Sequence, residues 1–125
     1  MRILVADDHD AIRKGVCAIL SSHFDIEECI EASTGQDAIE KALKHSPDVI
    51  ILDINMPVLG GFGAAKEIQR LTPQIPILFF TMHTGEQFVL EARKAGVQGF
   101  VAKDNAGGAL VKAVEAVLRK ETFFS

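Results

Sequence analysis

Residues 2–10 read "RILVADDHD". Ile3, Leu4, Val5 and Ala6 form an unbroken apolar run, and Asp7, Asp8, His9 and Asp10 follow with no Gly or Pro between. A strand apolar at every position is buried on both faces, as in a parallel sheet held between helices. Three carboxylates at its end are costly together unless a positive group sits among them. The rest of the chain must supply that group, or the acids simply point into water.

The pattern recurs. Apolar runs stand at "RILVA" (2–6), "IEECIEA" (26–32), "DVIILD" (48–53), "PILFFT" (76–81) and "GFVAK" (99–103). The second carries Glu27, Glu28 and Glu31, which places it at a sheet edge, where charge discourages pairing with other chains. The stretches between have helical spacing. The stripes are Ile12, Val16, Ile19 and Leu20; then Ile39, Ala42 and Leu43; then Ala65, Ile68 and Leu71; then Phe88, Val89, Ala92 and Ala95; and last Leu110, Ala113, Val114, Val117 and Leu118. "STGQ" (33–36) fits a capping box with Ser33 at the N-cap. Asp10 is expected to cap the first helix, and Gly96 to close the fourth in a left-handed conformation. Pro47 and Pro76 each lead into a strand, where a missing N–H is tolerated. Five strand–helix units in a row imply an α/β fold, a doubly wound five-stranded parallel sheet with helices on both faces.

Composition narrows the function. The 125 residues make one domain. With 48% hydrophobic and 24% charged residues, the chain is ordinary globular protein, not disordered. Its net charge of −4, with no Lys/Arg cluster, argues against a direct grip on DNA or RNA. No run is long enough for a membrane span, and no secretory signal opens the chain. Two cysteines, Cys17 and Cys29, without a CxxC motif, are expected to be free thiols in a cytoplasmic protein.

In open α/β sheets ligands bind beyond the carboxyl ends of the strands. Strand one ends at Asp7 and Asp8, strand three at Asp53, strand four at Thr81 and strand five at Lys103. Singly, each has an ordinary use: a solvated loop acid or helix cap, a strand-end hydroxyl, a snorkelling lysine. Together they form a complementary set. The carboxylates suit a hard divalent cation such as Mg²⁺, and Lys103 can pair with a second anionic group. A phosphoryl group fits between the ion and Lys103, with a hydrogen bond from Thr81. Phosphoryl transfer needs little beyond charge neutralisation and alignment. Asp53, on a central strand, is the natural nucleophile for an acyl phosphate.

"LVADDH", "VIILDINMPVLGG", "ILFFTMH" and "GFVAKD" resemble, in order and over the whole chain, the signature segments of the response-regulator receiver domain. The chain is similar in particular to the subgroup with LuxR-like (NarL/FixJ-type) DNA-binding output domains. That subgroup often shows an Asp-Asp-His, a Thr-Met-His and a Lys-Asp. The resemblance implies a flavodoxin-like strand order 2-1-3-4-5. It implies that Asp53 takes a phosphoryl group from a phosphohistidine on a sensor histidine kinase. Asp8 and Asp53 then bind Mg²⁺ directly with the backbone carbonyl of Asn55, and Asp7 acts through a water. Lys103 contacts the phosphoryl oxygens. Thr81 turns towards the phosphoryl group, and Phe100 rotates into the space vacated. The surface of helix four, strand five and helix five passes the change to a partner, with a homodimer expected on phosphorylation. The domain catalyses only its own phosphorylation and dephosphorylation. Residues 1–120 would be the receiver and 121–125 the start of a linker to an output domain absent from this chain, through which alone DNA is bound. Phe123 and Phe124 either contact something outside these residues or pack back on the domain.

Other readings are weaker. A stand-alone receiver acting on a protein partner is the alternative. A haloacid-dehalogenase-type phosphatase would have its nucleophile on the first strand and an acid two residues on, where this chain has Asn55, which cannot act as a general acid. "GGFGAAK" (60–66) lacks the third glycine of a dinucleotide fingerprint, and His9 and His83 fit no zinc spacing. Many receivers have Lys-Pro with a cis bond where this chain has Lys103-Asp104. A non-proline cis bond costs about 2.5–4 kcal/mol, so trans is expected.

Overall fold

Every apolar run becomes a strand: β1 (Arg2–Ala6), β2 (Glu28–Ala32), β3 (Val49–Leu52), β4 (Ile77–Thr81) and β5 (Gly99–Ala102). Between and after them lie α1 (Asp10–Ser21), α2 (Gly35–His45), α3 (Gly61–Leu71), α4 (Glu86–Ala95) and α5 (Ala106–Leu118), with a 3-10 turn at Lys103–Asn105. The computed structural model describes residues 1–124, apart from the side chains of 105 and 106. With a short β6 (Phe123–Phe124), the strands pair in parallel in the order β2-β1-β3-β4-β5-β6, so β2 is the expected edge. The sixth strand is a two-residue addition on the far edge beside β5.

Strand side chains alternate between faces, and this sorts the core into two layers. Leu4, Ala6, Ile50, Leu52, Ile77, Phe79 and Phe100 face one side, packed against Ala38, Ile39 and Ala42 of α2, Ala64, Ala65 and Ile68 of α3, and Ala92 of α4. Ile3, Val5, Ile51, Leu78 and Val101 face the other, against Val16 and Leu20 of α1 and Leu110, Ala113, Val114 and Val117 of α5. Leu43 and Leu71, expected on buried stripes, are exposed. Successive helical positions turn by about 100°, so Leu43 lies off the face that buries Ala42.

Three local expectations shift. The cap of α2 is Thr34, not Ser33; the Thr34 hydroxyl accepts from the Asp37 N–H at 2.9 Å. Asp10 is the first helical residue of α1 and His9 occupies the N-cap position, so the Asp10 carboxylate engages Arg13 instead. The cysteines are not free thiols: Cys17 of α1 and Cys29 of β2 form a disulfide, Cα to Cα 6.1 Å. Both pack against the α1/α5 layer, which brings them together although they stand 12 positions apart in sequence. Gly96 closes α4 with φ 80°, as expected. The Lys103–Asp104 peptide is trans. Among the described residues no helix is long and apolar enough to cross a membrane.

Candidate phosphoryl and metal site

The ends of β1, β3, β4 and β5 meet at one edge of the sheet, and the backbone fixes how they meet. The Asp53 N–H donates to the Ala6 carbonyl at 2.9 Å, which sets the end of β3 against the end of β1. The Gly61 N–H donates to the Ile54 carbonyl at 2.7 Å, and a Cβ on Gly61 would collide with the Asp53 carbonyl oxygen. Only glycine lets α3 start this close to Asp53.

Asp7 and Asp53 are 2% and 5% exposed, and Thr81 is fully buried. Lys103 Nζ lies 2.6 Å from Asp7 Oδ2 and 3.1 Å from Asp53 Oδ2. This is the positive group that the acids require: a buried ammonium between two buried carboxylates. Burial alone lowers the Lys103 pKa, but the Asp7 hydrogen bond and the Asp53 charge outweigh it and hold the pKa above its ordinary value. The second oxygen of Asp53 accepts from the Ile54 N–H at 2.8 Å. Thr81 Oγ1 accepts from the His83 N–H at 3.0 Å.

Asp8 is exposed, as is His9. The His9 Nδ1 lies 3.0 Å from an oxygen of each of Asp7 and Asp8, and the His9 N–H donates to Asp7 at 2.9 Å. Asp7, Asp8 and His9 each place a ligand atom within 4.8 Å of the others. A buried carboxylate, Asp7, next to a solvent-exposed one, Asp8, fits a hard cation that keeps several of its waters. His9, which sequence spacing does not mark as a metal ligand, belongs to this cluster; only the fold shows its ring between the two acids. A cleft of about 380 Å³, lined by His9, Ile12, Met82, Lys103 and Asp104, opens beside the lysine.

Two expected residues stand apart from this hydrogen-bonded set. Asn55 is exposed in the loop after Asp53. Phe100, on the α4 side of β5, is 1% exposed. Its ring stacks on Phe124 of β6, centroids 6.2 Å apart and planes 10° from parallel, and the Arg93 guanidinium sits 4.0 Å above the Phe124 ring centroid. Phe123 and Phe124 therefore pack back on the domain, and any swing of Phe100 begins from a covered position.

The sequence matches the family model "response regulator receiver domain" over residues 3–115. The chain is a response-regulator receiver domain. It is 36% identical over 124 residues to the oxygen regulatory protein NreC of Staphylococcus epidermidis, covering 98% of this receiver and 57% of that relative. It is 33% identical over 117 residues to the transcriptional regulatory protein DegU of Brevibacillus brevis, covering 94% and 50%. The receiver thus spans about half the length of these relatives. Among solved structures, a LuxR-family two-component response regulator from Aurantimonas sp. superposes with a TM-score of 0.92 at 32% identity, covering 98% of this receiver and 87% of that chain. The isolated REC domain of RcsB from Salmonella enterica serovar Typhimurium, in the presence of phosphomimetic BeF3⁻, gives 0.91 at 25% identity, covering 100% and 93%. This membership removes the haloacid-dehalogenase reading.

Proposed function

We propose that Asp53 is the phosphoacceptor, in Mg²⁺-dependent transfer from a phosphohistidine of a sensor histidine kinase. The observation that carries the reading is the shared ammonium: Lys103 touches both Asp7 and Asp53 at the sheet edge where Thr81 also ends. A carboxylate oxygen of Asp53 bonds to phosphorus as the N–P bond of the phosphohistidine breaks, and the bonding pair leaves with the imidazole. Lys103 follows the new negative charge, exchanging a carboxylate partner for a phosphoryl oxygen. Thr81 donates its hydroxyl to the same group. Asp8 and Asp53, with the Asn55 carbonyl and with Asp7 through a water, would hold the ion. Bound there, Mg²⁺ supplies the charge neutralisation that phosphoryl transfer requires.

Movement of Thr81 leaves room beside Phe100, and the α4–β5–α5 surface carries the change to a second copy of the receiver. Similarity to the transcriptional regulatory protein DegU supports a role in transcription control, which would be exercised in the cytoplasm. DNA would be reached through an output domain outside the receiver, and the pairing of β6 with β5 assigns Phe123 and Phe124 to the receiver and not to a linker starting at 121. The receiver turns over no separate substrate; it promotes only the gain and loss of its own phosphoryl group. Transfer from a phosphorylated kinase tests the chemistry. An acyl phosphate is released by hydroxylamine, whereas a label that survives hydroxylamine contradicts the assignment.

A further inference from the structure

In the sequence Arg13 is an ordinary basic residue on the first turns of an amphipathic helix. In the structure its side chain is 13% exposed, and its guanidinium reaches three elements at once. Nη1 donates to the Asp7 backbone carbonyl at 2.7 Å, Nε to Glu31 of β2 at 2.9 Å, and Nη2 to Asp10 at the start of α1 at 2.9 Å. The planar fork of arginine suits several acceptors in fixed directions; a lysine ammonium does not reproduce it.

Glu31 is itself held. Its second oxygen accepts from Lys14 at 3.2 Å, and its backbone carbonyl from Lys41 at 2.6 Å. The arginine is therefore braced against β2 and not free to drift. The Asp7 N–H donates to the Ala32 carbonyl of β2 at 3.0 Å. Asp7 is thus tied to β2 on both sides: directly through its N–H, and through Arg13 and Glu31 at its C=O.

The carbonyl contact constrains the next residue, Asp8. The Asp7 C=O, the Asp8 N–H and the Asp8 Cα share one peptide plane. Fixing that C=O direction fixes the plane, and with it the direction in which Asp8 leaves the strand end. Asp8 is exposed, and the contact found for its carboxylate among the described residues is to the His9 ring nitrogen at 3.0 Å.

We propose that Arg13 is a positioning residue for the acid pair: it locks the Asp7–Asp8 peptide so that both carboxylates face one divalent cation. The inference rests on the reading of this acid pair as a metal site. Arg13 touches neither the ion nor a reacting atom; it acts through the backbone of Asp7.

The sign of the effect separates positioning from charge. A guanidinium near a cation site repels the cation, so its loss should tighten Mg²⁺ binding if charge alone matters. Positioning predicts the opposite. The test is a Mg²⁺ titration of the whole 125-residue receiver, followed by amide shifts of residues 7–9 and 53, for wild type, Arg13→Met, Arg13→Lys and Asp8→Ala. Arg13→Met keeps much of the packing stem, and Arg13→Lys keeps the charge while losing the fork. Both should bind Mg²⁺ about tenfold or more weakly than wild type, the size seen when a group orienting a ligand is removed. If Asp8→Ala weakens binding while both Arg13 variants bind like wild type or tighter, the positioning role is overturned and the metal reading stands. If wild type shows no Mg²⁺-dependent shifts, or Asp8→Ala titrates like wild type, the metal reading fails and takes the positioning role with it.

Discussion

Lys103 is bound more closely to Asp7 than to Asp53, at 2.6 Å against 3.1 Å. The acid that begins the signature thus holds the lysine, and the looser contact is to the residue proposed as nucleophile. Such an arrangement lets the lysine yield Asp53 to a phosphoryl group while keeping its anchor on Asp7. It also answers the question raised by "RILVADDHD": the positive charge among the acids comes from the end of β5.

Removing the lysine leaves two buried carboxylates without a counter-ion. Lys103→Met should lower stability by about 3–5 kcal/mol, the cost of breaking a buried pair by deleting one partner. Chemical denaturation in the absence of Mg²⁺ measures it, and an unchanged midpoint contradicts the pairing.

Val58, in the loop after β3, has φ 70° and is 80% exposed. A left-handed backbone costs a β-carbon residue about 1–2 kcal/mol, and Val58 has little packing to offset it. Val58→Gly removes the strain but adds freedom to the unfolded chain, about 0.4–1 kcal/mol. The net expectation is a gain of up to about 1.6 kcal/mol, read as a higher melting temperature. A fall in melting temperature contradicts the strain.

Burial alone raises the Glu31 pKa, but hydrogen bonds from Arg13 and Lys14 outweigh it, and the carboxyl is held below its usual range. A depressed acid pKa adds stability that is present above the unfolded value and lost as pH falls through the folded one. Wild type should therefore exceed Glu31→Gln in stability at neutral pH, with the gap closing as pH falls below about 4.3. A gap that stays constant down to the acid transition contradicts a charged Glu31 in the folded state.

The Cys17–Cys29 bond closes a loop with a sequence separation of 12 between α1 and β2. A loop of that size corresponds to about 2–3 kcal/mol by chain entropy. Reductant, or Cys17→Ser, should lower the melting temperature of the oxidised protein. A thiol count of two in the unreduced denatured protein contradicts the bond. In a reducing cytoplasm the bond is expected to open, leaving α1 held by packing and by Arg13.

The strands were legible because four of the five are buried on both faces and read as continuous apolar runs. The acids, Thr81 and Lys103 were legible because polar residues that end such runs must gather at one edge of a parallel sheet. What was missed depends on contacts between elements. Cys17 and Cys29 meet only because α1 packs over β2. Thr34 and Ser33 carry the same hydroxyl, and backbone direction alone chooses between them. Arg13 looks like any helical surface arginine until Asp7, Glu31 and Asp10 surround it. That Phe123 and Phe124 pack back on the domain is one of two outcomes the sequence leaves open; their pairing with β5 as a sixth strand is not legible there, since two adjacent aromatics carry no periodicity.

Asp53, proposed as the phosphoacceptor, is the residue on which the function of the whole site turns. Intact mass after incubation with acetyl phosphate and Mg²⁺, on wild type and Asp53→Asn, tests that role most directly. Wild type should gain the mass of one phosphoryl group and the variant none. Equal labelling of Asp53→Asn and wild type would contradict the account.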